Sequence, residues 1–275
     1  MKKIQGIFLF IIFEFIVSSA FAQQSSNCGI KNITFKEGEQ ITYIASYNWY
    51  FVWTDVGEVN FKVTKENKFN RELLHLYSYG KSYQFYDWFF KVRDLYESWV
   101  DPKTLQPVYF NRNIYEGGFT KENEYRFDWN KYQIYTRIKR KKGPNKFDTL
   151  KIEKCTYDVV SSIYIARNLD FTNIKPNRIF PVTVVLDREI YHVGYKYLGK
   201  EKKSVKGLGK FNCLKFQVDL VVGDVFSGEQ KLFVWVTDDQ NKIPIIIESP
   251  IRVGSVKARV NRIKGLKYPL TSLIK

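Results

Sequence analysis

Apolar and polar residues alternate with a period of two along most of this chain, the period that sends successive side chains to opposite faces of an extended strand. In residues 39–53, Ile41, Tyr43, Ala45, Tyr47, Trp49, Phe51 and Trp53 share one face, while Gln40, Thr42, Ser46 and Asn48 take the other. Asp55-Val56-Gly57 predicts a turn, and Val59, Phe61 and Val63 predict a hairpin partner. Further strand-like segments cover residues 72–79, 92–100, 107–115, 123–129 and 132–140, broken by Asp101-Pro102, Gly117-Gly118 and Trp129-Asn130-Lys131. The pattern returns at 180–186, 190–197, 200–206 and 211–222. It closes with residues 232–260, which read as three strands joined by two sharp turns, Thr237 to Asn241 and Ser249-Pro250. The first of these turns, Thr237 to Asn241, carries Asp238 and Asp239. Paired acids raise the thought of a metal, but Asp and Asn at such a place are turn formers that bond to their own backbone. Pro244 has no backbone donor, so its strand is expected at a sheet edge, or its nitrogen should face away from the ladder.

Two segments leave this period. Thr156 to Asn168 places Val159, Val160, Ile163, Tyr164 and Arg167 on one side, with Thr156 or Asp158 available as the N-cap, and predicts a helix. Residues 83–91 crowd Phe85, Tyr86, Trp88, Phe89 and Phe90 together and predict a short helix or plug. Such aromatic clusters usually pack, so a core-facing element closing one end of the sheet is the first expectation, and a lid over a binding site the second. Together the segments predict a mainly β protein: a single strongly curved antiparallel sheet of ten or more strands, an open barrel or β-roll, with one packed helix.

The N-terminus changes the picture of where such a sheet would work. Lys2 and Lys3 precede an apolar run over residues 7–17, and Ala20-Phe21-Ala22 offers the small residues of a cleavage site. This predicts a secretory signal peptide over 1–22, with Glu14 arguing against a retained anchor. A linker over 23–34, a β domain over 35–263 and a tail over 264–275 complete the expected organisation. The formal net charge of +16 favours anionic surfaces such as headgroups and acidic polysaccharide, and with export expected it does not point to nucleic acid. Cys28, Cys155 and Cys213 permit one disulfide in an oxidising compartment, in any of three pairings.

Candidate chemistry is sparse. His75 and His192 have no Cys or His at metal-ligand spacing, so no zinc site is expected, and no other metal or cofactor is indicated. There is no phosphate loop, GxSxG elbow or HExxH, and no catalytic residue is assigned. Asp87 and Asp94, near the aromatic segment, are the only carboxylates that suggest a hydrolase of envelope polymers. Aromatics make up 17% of the chain, more large rings than a simple core obliges, and rings line ligand sites in curved sheets. Tyr43, Tyr47, Trp49, Trp88 and Phe89 are therefore the candidate ligand-binding residues. Arg137, Lys139, Arg140, Lys141 and Lys142, the densest basic run, are the candidates for contact with an anionic surface, against the plainer reading of a solvated hairpin end.

The stretches GEQITYIASYNW within 35–63, YESWVDPKTLQPVYF from Tyr96, YRFDW from Tyr125, TYDVVSSIYIAR from Thr156, KGLGKFNCLKF from Lys206 and WVTDDQNKIPIIIESPIRVGS from Trp235, in that order and spacing, resemble the DUF3108 family of exported bacterial proteins. The resemblance implies a mostly antiparallel β fold and a place in the Gram-negative periplasm. The family's function is unassigned, so no catalytic residue carries over. The expected function is a periplasmic protein that binds or carries an apolar or amphipathic envelope molecule such as a lipid. A module that contacts an outer-membrane protein partner is the alternative.

Overall fold

The alternating segments become sixteen strands of one sheet in the computed structural model, which describes residues 30–49, 52–140, 143–219, 231–250 and 254–274. The first half of the chain supplies β1 (Gln40–Trp49), β2 (Val52–Lys68), β3 (Arg71–Ser82), a short helix α1 (Gln84–Phe90), β4 (Val92–Val100), β5 (Pro107–Glu116), β6 (Phe119–Asp128), β7 (Gln133–Arg140) and β8 (Lys146–Lys151). The second half supplies β9 (Thr156–Tyr157), helix α2 (Val159–Arg167), β10 (Ile179–Leu186), β11 (Glu189–Val205), β12 (Gly209–Asp219), β13 (Lys231–Thr237), β14 (Pro244–Pro250), β15 (Ser255–Lys264) and β16 (Leu273–Ile274). Consecutive strands pair as meanders from β8 back to β1 and from β15 back to β9, and the halves join where β1 pairs β15. The pairs are antiparallel apart from β9 with β10, and β16 adds to β12 beyond the end of β13.

The sheet curls around α2, which touches β3 and β4 from one half and β9 and β10 from the other. Asp158 sets the helix's start: its buried Oδ1 accepts the backbone N–H groups of Val160 and Ser161, both at 2.9 Å, and its Oδ2 accepts Ser98 Oγ of β4 at 2.6 Å. The cap that ends two orphan donors thus also ties the helix to the sheet. Val63, Leu76, Phe110, Tyr125, Tyr157, Ile165 and Val184 form one continuous core inside the curl, so the face enclosed by the curve is the apolar one. At one mouth the β10–β11 turn reaches across the interior: Asp187 accepts Arg112 at 2.7 Å, Asn123 at 2.9 Å and Lys121, while Arg188 pairs with Asp148 of β8. Burial alone would raise the Asp187 carboxyl, but the bond from Lys121 and the charge of Arg112 hold it below its ordinary value. The two ends of the sheet are therefore tied by ion pairs rather than by a ladder.

Several local expectations are corrected by this fold. The first hairpin does not turn at Asp55-Val56-Gly57: the β1–β2 ladder continues to the pair Trp49 and Val52, and Asp55-Val56-Gly57 lies within β2 where that ladder shifts register between Ala45 and Ser46. Gly57 is there because a Cβ would lie 2.4 Å from the Lys81 carbonyl oxygen, so the glycine marks a bulge with close strand approach. The segments at 190–197 and 200–206 are one strand, β11, whose ladder shifts register between Tyr197 and Gly199. The edge expectation for Pro244 is not met: β14 lies between β13 and β15, and Pro244 is its first residue, beside a register shift. Strand β8 escaped the sequence reading because KFDTLK is a mostly exposed edge with no apolar face. Helix α1 forms, but it buries none of its residues, so the core-facing expectation for residues 83–91 is overturned. Phe85, Trp88 and Phe89 stand exposed instead of meeting the core inside the curl.

The acid-rich turn is structural. Asp239 Oδ1 accepts the backbone N–H of Asn241 at 3.0 Å and Thr237 Oγ1 at 2.9 Å, and Oδ2 accepts Ser272 Oγ at 2.7 Å. Asn241 Nδ2 donates to Tyr268 O and Pro269 O, so the segment set off as a tail lies fastened to this turn. Cys155 takes part in a disulfide and Cys213 is a buried free thiol, which removes the two pairings that use Cys213. Residues 1–29, with the expected signal peptide and Cys28, lie outside the described residues.

Candidate functional site

Beside α2 the concave face is not filled. A cavity of about 190 Å³ opens between the helix residues Ile163, Tyr164, Ala166 and Arg167 and a floor built by β1, β2 and β11 to β14. The floor includes Ile41, Tyr43, Phe61, Phe216 and Val234, and Phe171, in the segment after α2, closes one side. The local cause is legible in register: Phe216 faces Val234 across β12 and β13, and inward alternation on adjacent strands brings their side chains to one surface.

Polar groups in these walls are spent on the protein. Tyr43 Oη donates to Pro244 O at 2.8 Å. Arg167, 3% exposed, makes a fork with Glu39, 1% exposed, at 2.6 and 2.8 Å, and adds two bonds to Asn241 O. Burial pulls the guanidinium down, but Glu39 outweighs it and holds Arg167 above its ordinary range. Burial likewise pushes the Tyr43 and Tyr164 hydroxyls well up, and that of Tyr195 to about 12. The tyrosines therefore stay protonated at neutral pH where they line the space. An apolar cavity of about 150 Å³ stays dry and takes a small aromatic, whereas a whole drug-sized ligand needs about 300 Å³ or more. The space here suits a short apolar chain or one ring.

Of the five residues expected at a ligand site, Tyr43 lines this cavity. Tyr47, four positions on, is not among its walls, and the Trp49 side chain lies outside the described residues. Trp88 and Phe89 stand exposed on α1 at the rim, 81% and 77% accessible, and do not join Tyr43. The residues that sequence reasoning missed, Tyr164, Phe171, Phe216 and Val234 among them, carried only the ordinary alternation or helix period of a core. In the basic run, Arg137 Nε donates to Glu124 at 2.9 Å and Lys139 pairs with Glu122 at 3.4 Å, while the Arg140 side chain, Lys141 and Lys142 lie outside the described residues.

The two acids considered for hydrolysis are tied to separate partners. Asp87 is bound by Arg93 and Ser82, and the Arg93 bond holds its carboxyl below the usual range. Asp94 lies partly buried beside Glu116, accepts the Tyr115 N–H at 3.2 Å and faces the charge of Arg112. Burial first and then Glu116 push the Asp94 carboxyl up to about 7. The folded protein therefore keeps a proton that the unfolded chain releases near pH 4. The contribution is full below about pH 4 and is lost as pH rises through about 7. The melting temperature of the wild type should fall between pH 5 and pH 8 more than that of Asp94→Asn, and parallel curves would refute the assignment. On the outer face His75 lies between Glu66 at 2.6 Å and Glu97 at 3.1 Å and stacks on Trp99 with ring centroids 4.4 Å apart. That cluster braces β2, β3 and β4.

No curated protein matches the chain. Among solved structures, the chain is similar to a β-barrel-like protein of domain of unknown function DUF1849 from Brucella abortus, with a TM-score of 0.55 at 6% identity, over 84% of this chain and 98% of that one. At that identity the likeness is one of fold, and it agrees with the open, curled sheet. Residues 42–261 match the family described as a protein of unknown function, DUF3108. The match runs from β1 to β15, and the chain belongs to the DUF3108 family.

Proposed function

We propose that this protein, exported to the periplasm by its N-terminal segment, binds the apolar end of an amphipathic envelope molecule in the cavity beside α2. The observation that carries the reading is the cavity itself: about 190 Å³ of space walled by apolar side chains, with Tyr43 and Arg167 already satisfied by protein partners. A space of that chemistry gains by taking up apolar surface from water and offers no group to hold a charged centre. The alternative, an assembly module that recruits a protein through a strand edge, is less well served. Edge strand β8 carries Lys146 and Lys151, and its Asp148 is already held by Arg188, features that discourage strand addition.

Native mass spectrometry of the purified protein should show a bound lipid-like species, and a medium-chain fatty acid should displace an environment-sensitive naphthalene probe. Ala166→Phe, which projects a ring from α2 into the space, should weaken probe binding roughly tenfold while leaving the denaturant melt near that of the wild type. A folded Ala166→Phe variant that binds the probe as well as the wild type would remove the cavity from the reading. A uniformly empty protein that ignores the probe would remove the function.

A further inference from the structure

We infer that one rim of the curled sheet is a docking surface for an anionic lipid bilayer. The registers Lys81 with Arg93, Arg93 with Tyr115, Glu116 with Phe119, Lys121 with Arg140 and Ile138 with Lys146 bring the same ends of β3 to β8 level with one another. Helix α1, the β5–β6 turn and the start of β8 therefore stand side by side on a single rim. Six strands at about 4.8 Å spacing make an arc on the order of 25 Å long.

Along that arc the large apolar side chains face outward. Phe85 is 73% exposed, Trp88 81%, Phe89 77%, Phe119 53% and Phe147 71%. A folded chain rarely leaves so many rings in one place without a use for them. The exposure is held in place by polar bonds beneath. Asp87 is gripped by Arg93 and Ser82, Tyr83 N–H donates to Val56 O at 2.9 Å, and Phe90 lies against Gly117 so closely that a Cβ there would fall 2.5 Å from its ring. Helix α1 is thus fixed at its base with its rings projecting.

The charge along the arc selects the partner. Lys91 and Lys146 are exposed, and neither is in an ion pair among the described residues. The acids nearby are occupied: Asp87 by Arg93 and Glu122 by Lys139, while Glu116 turns to Asp94. The cavity beside α2 is lined by no residue of this arc, and the arc offers projecting rings between lysines. Rings that enter the headgroup–acyl boundary with cations at the phosphate level form the chemistry of interfacial binding. The surface is separate from the cavity beside α2, and its test does not depend on what fills that cavity.

The measurement is co-sedimentation of the purified protein with vesicles of phosphatidylcholine alone and of phosphatidylcholine with about 30 mol% phosphatidylglycerol, the anionic fraction that attracts juxtamembrane lysines. Binding is expected to the anionic vesicles, weakening as salt rises, with a blue shift of tryptophan emission. Trp88→Ser with Phe89→Ser should reduce partition by roughly tenfold or more, and Lys91→Glu with Lys146→Glu should remove the preference for anionic lipid. Because these positions are exposed, the melts should stay near that of the wild type, which separates lost binding from lost folding. Equal partition of the serine variant, or equal binding to neutral and anionic vesicles, would overturn the proposal. So would self-association abolished by the same serine changes in a protein that ignores vesicles.

Discussion

Glu39→Ala should destabilise the protein by about 3–5 kcal/mol, the usual cost of leaving a buried charge without its partner. Arg167 is nearly inaccessible, and Glu39 supplies both carboxylate oxygens to its fork, so the alanine variant strands a guanidinium left with its hydrogen bonds to Asn241 O and the rings of Phe35 and Tyr164, and with no opposite charge in its fork. Replacing both, as Glu39→Leu with Arg167→Met, should recover most of the loss, because well-packed apolar groups of similar volume commonly match or exceed a buried pair. Guanidinium melts of the two singles and the double form the cycle. A double variant no more stable than Glu39→Ala would mean that the pair supports the fold through something other than mutual neutralisation. The cycle also probes the cavity, since Arg167 forms part of its wall. A double variant that regains stability should retain the naphthalene probe, because the charge faces Glu39 and Asn241 rather than the space.

The second large effect belongs to Asp158. Asp158→Ala should cost about 3 kcal/mol, from loss of a buried cap worth up to about 2 and from a buried Ser98 hydroxyl left without its acceptor at about 1 or more. Asp158→Asn keeps an acceptor for the Val160 and Ser161 N–H groups and should lose less than the alanine variant. Because the same carboxylate joins α2 to β4, the alanine variant should also loosen the helix that walls the cavity and weaken probe binding. Stability within about 1 kcal/mol of the wild type would show that the helix is held by its apolar face alone.

Helix α2 illustrates how far local information reaches. Asp158 before an apolar 3.6 period is a short-range signal, and the helix starts at the next residue. The strands of the meander from β13 to β15 were equally legible, because alternation and turn residues act over a few positions, but Ser249-Pro250, expected as its second turn, extends β14 and pairs with Val256 and Ser255. Asp55-Val56-Gly57 has the same vocabulary as a turn and is a bulge instead. What separates the two is the carbonyl of Lys81, a neighbour on another strand. The aromatic run of α1 failed for a related reason. Its composition is that of a core, and only the placement of the remaining strands decides whether anything covers it.

By itself the sequence determined the mainly antiparallel sheet, the single capped helix between its halves, the closing meander and membership of the family, since each rests on period, capping or ordered short motifs. The tertiary structure alone decided which of two alternating faces is enclosed, that Arg167 meets Glu39 across 128 positions, and that Tyr43 shares a wall with Tyr164, Phe216 and Val234. It also decided that Trp88 and Phe89 stand on a rim rather than inside. A period of two says that a strand has two faces, and nothing local says which one the curl of the sheet will close upon. That choice is made by contacts between residues far apart in the chain, so the cavity and the rim emerge only when the sheet has folded around α2.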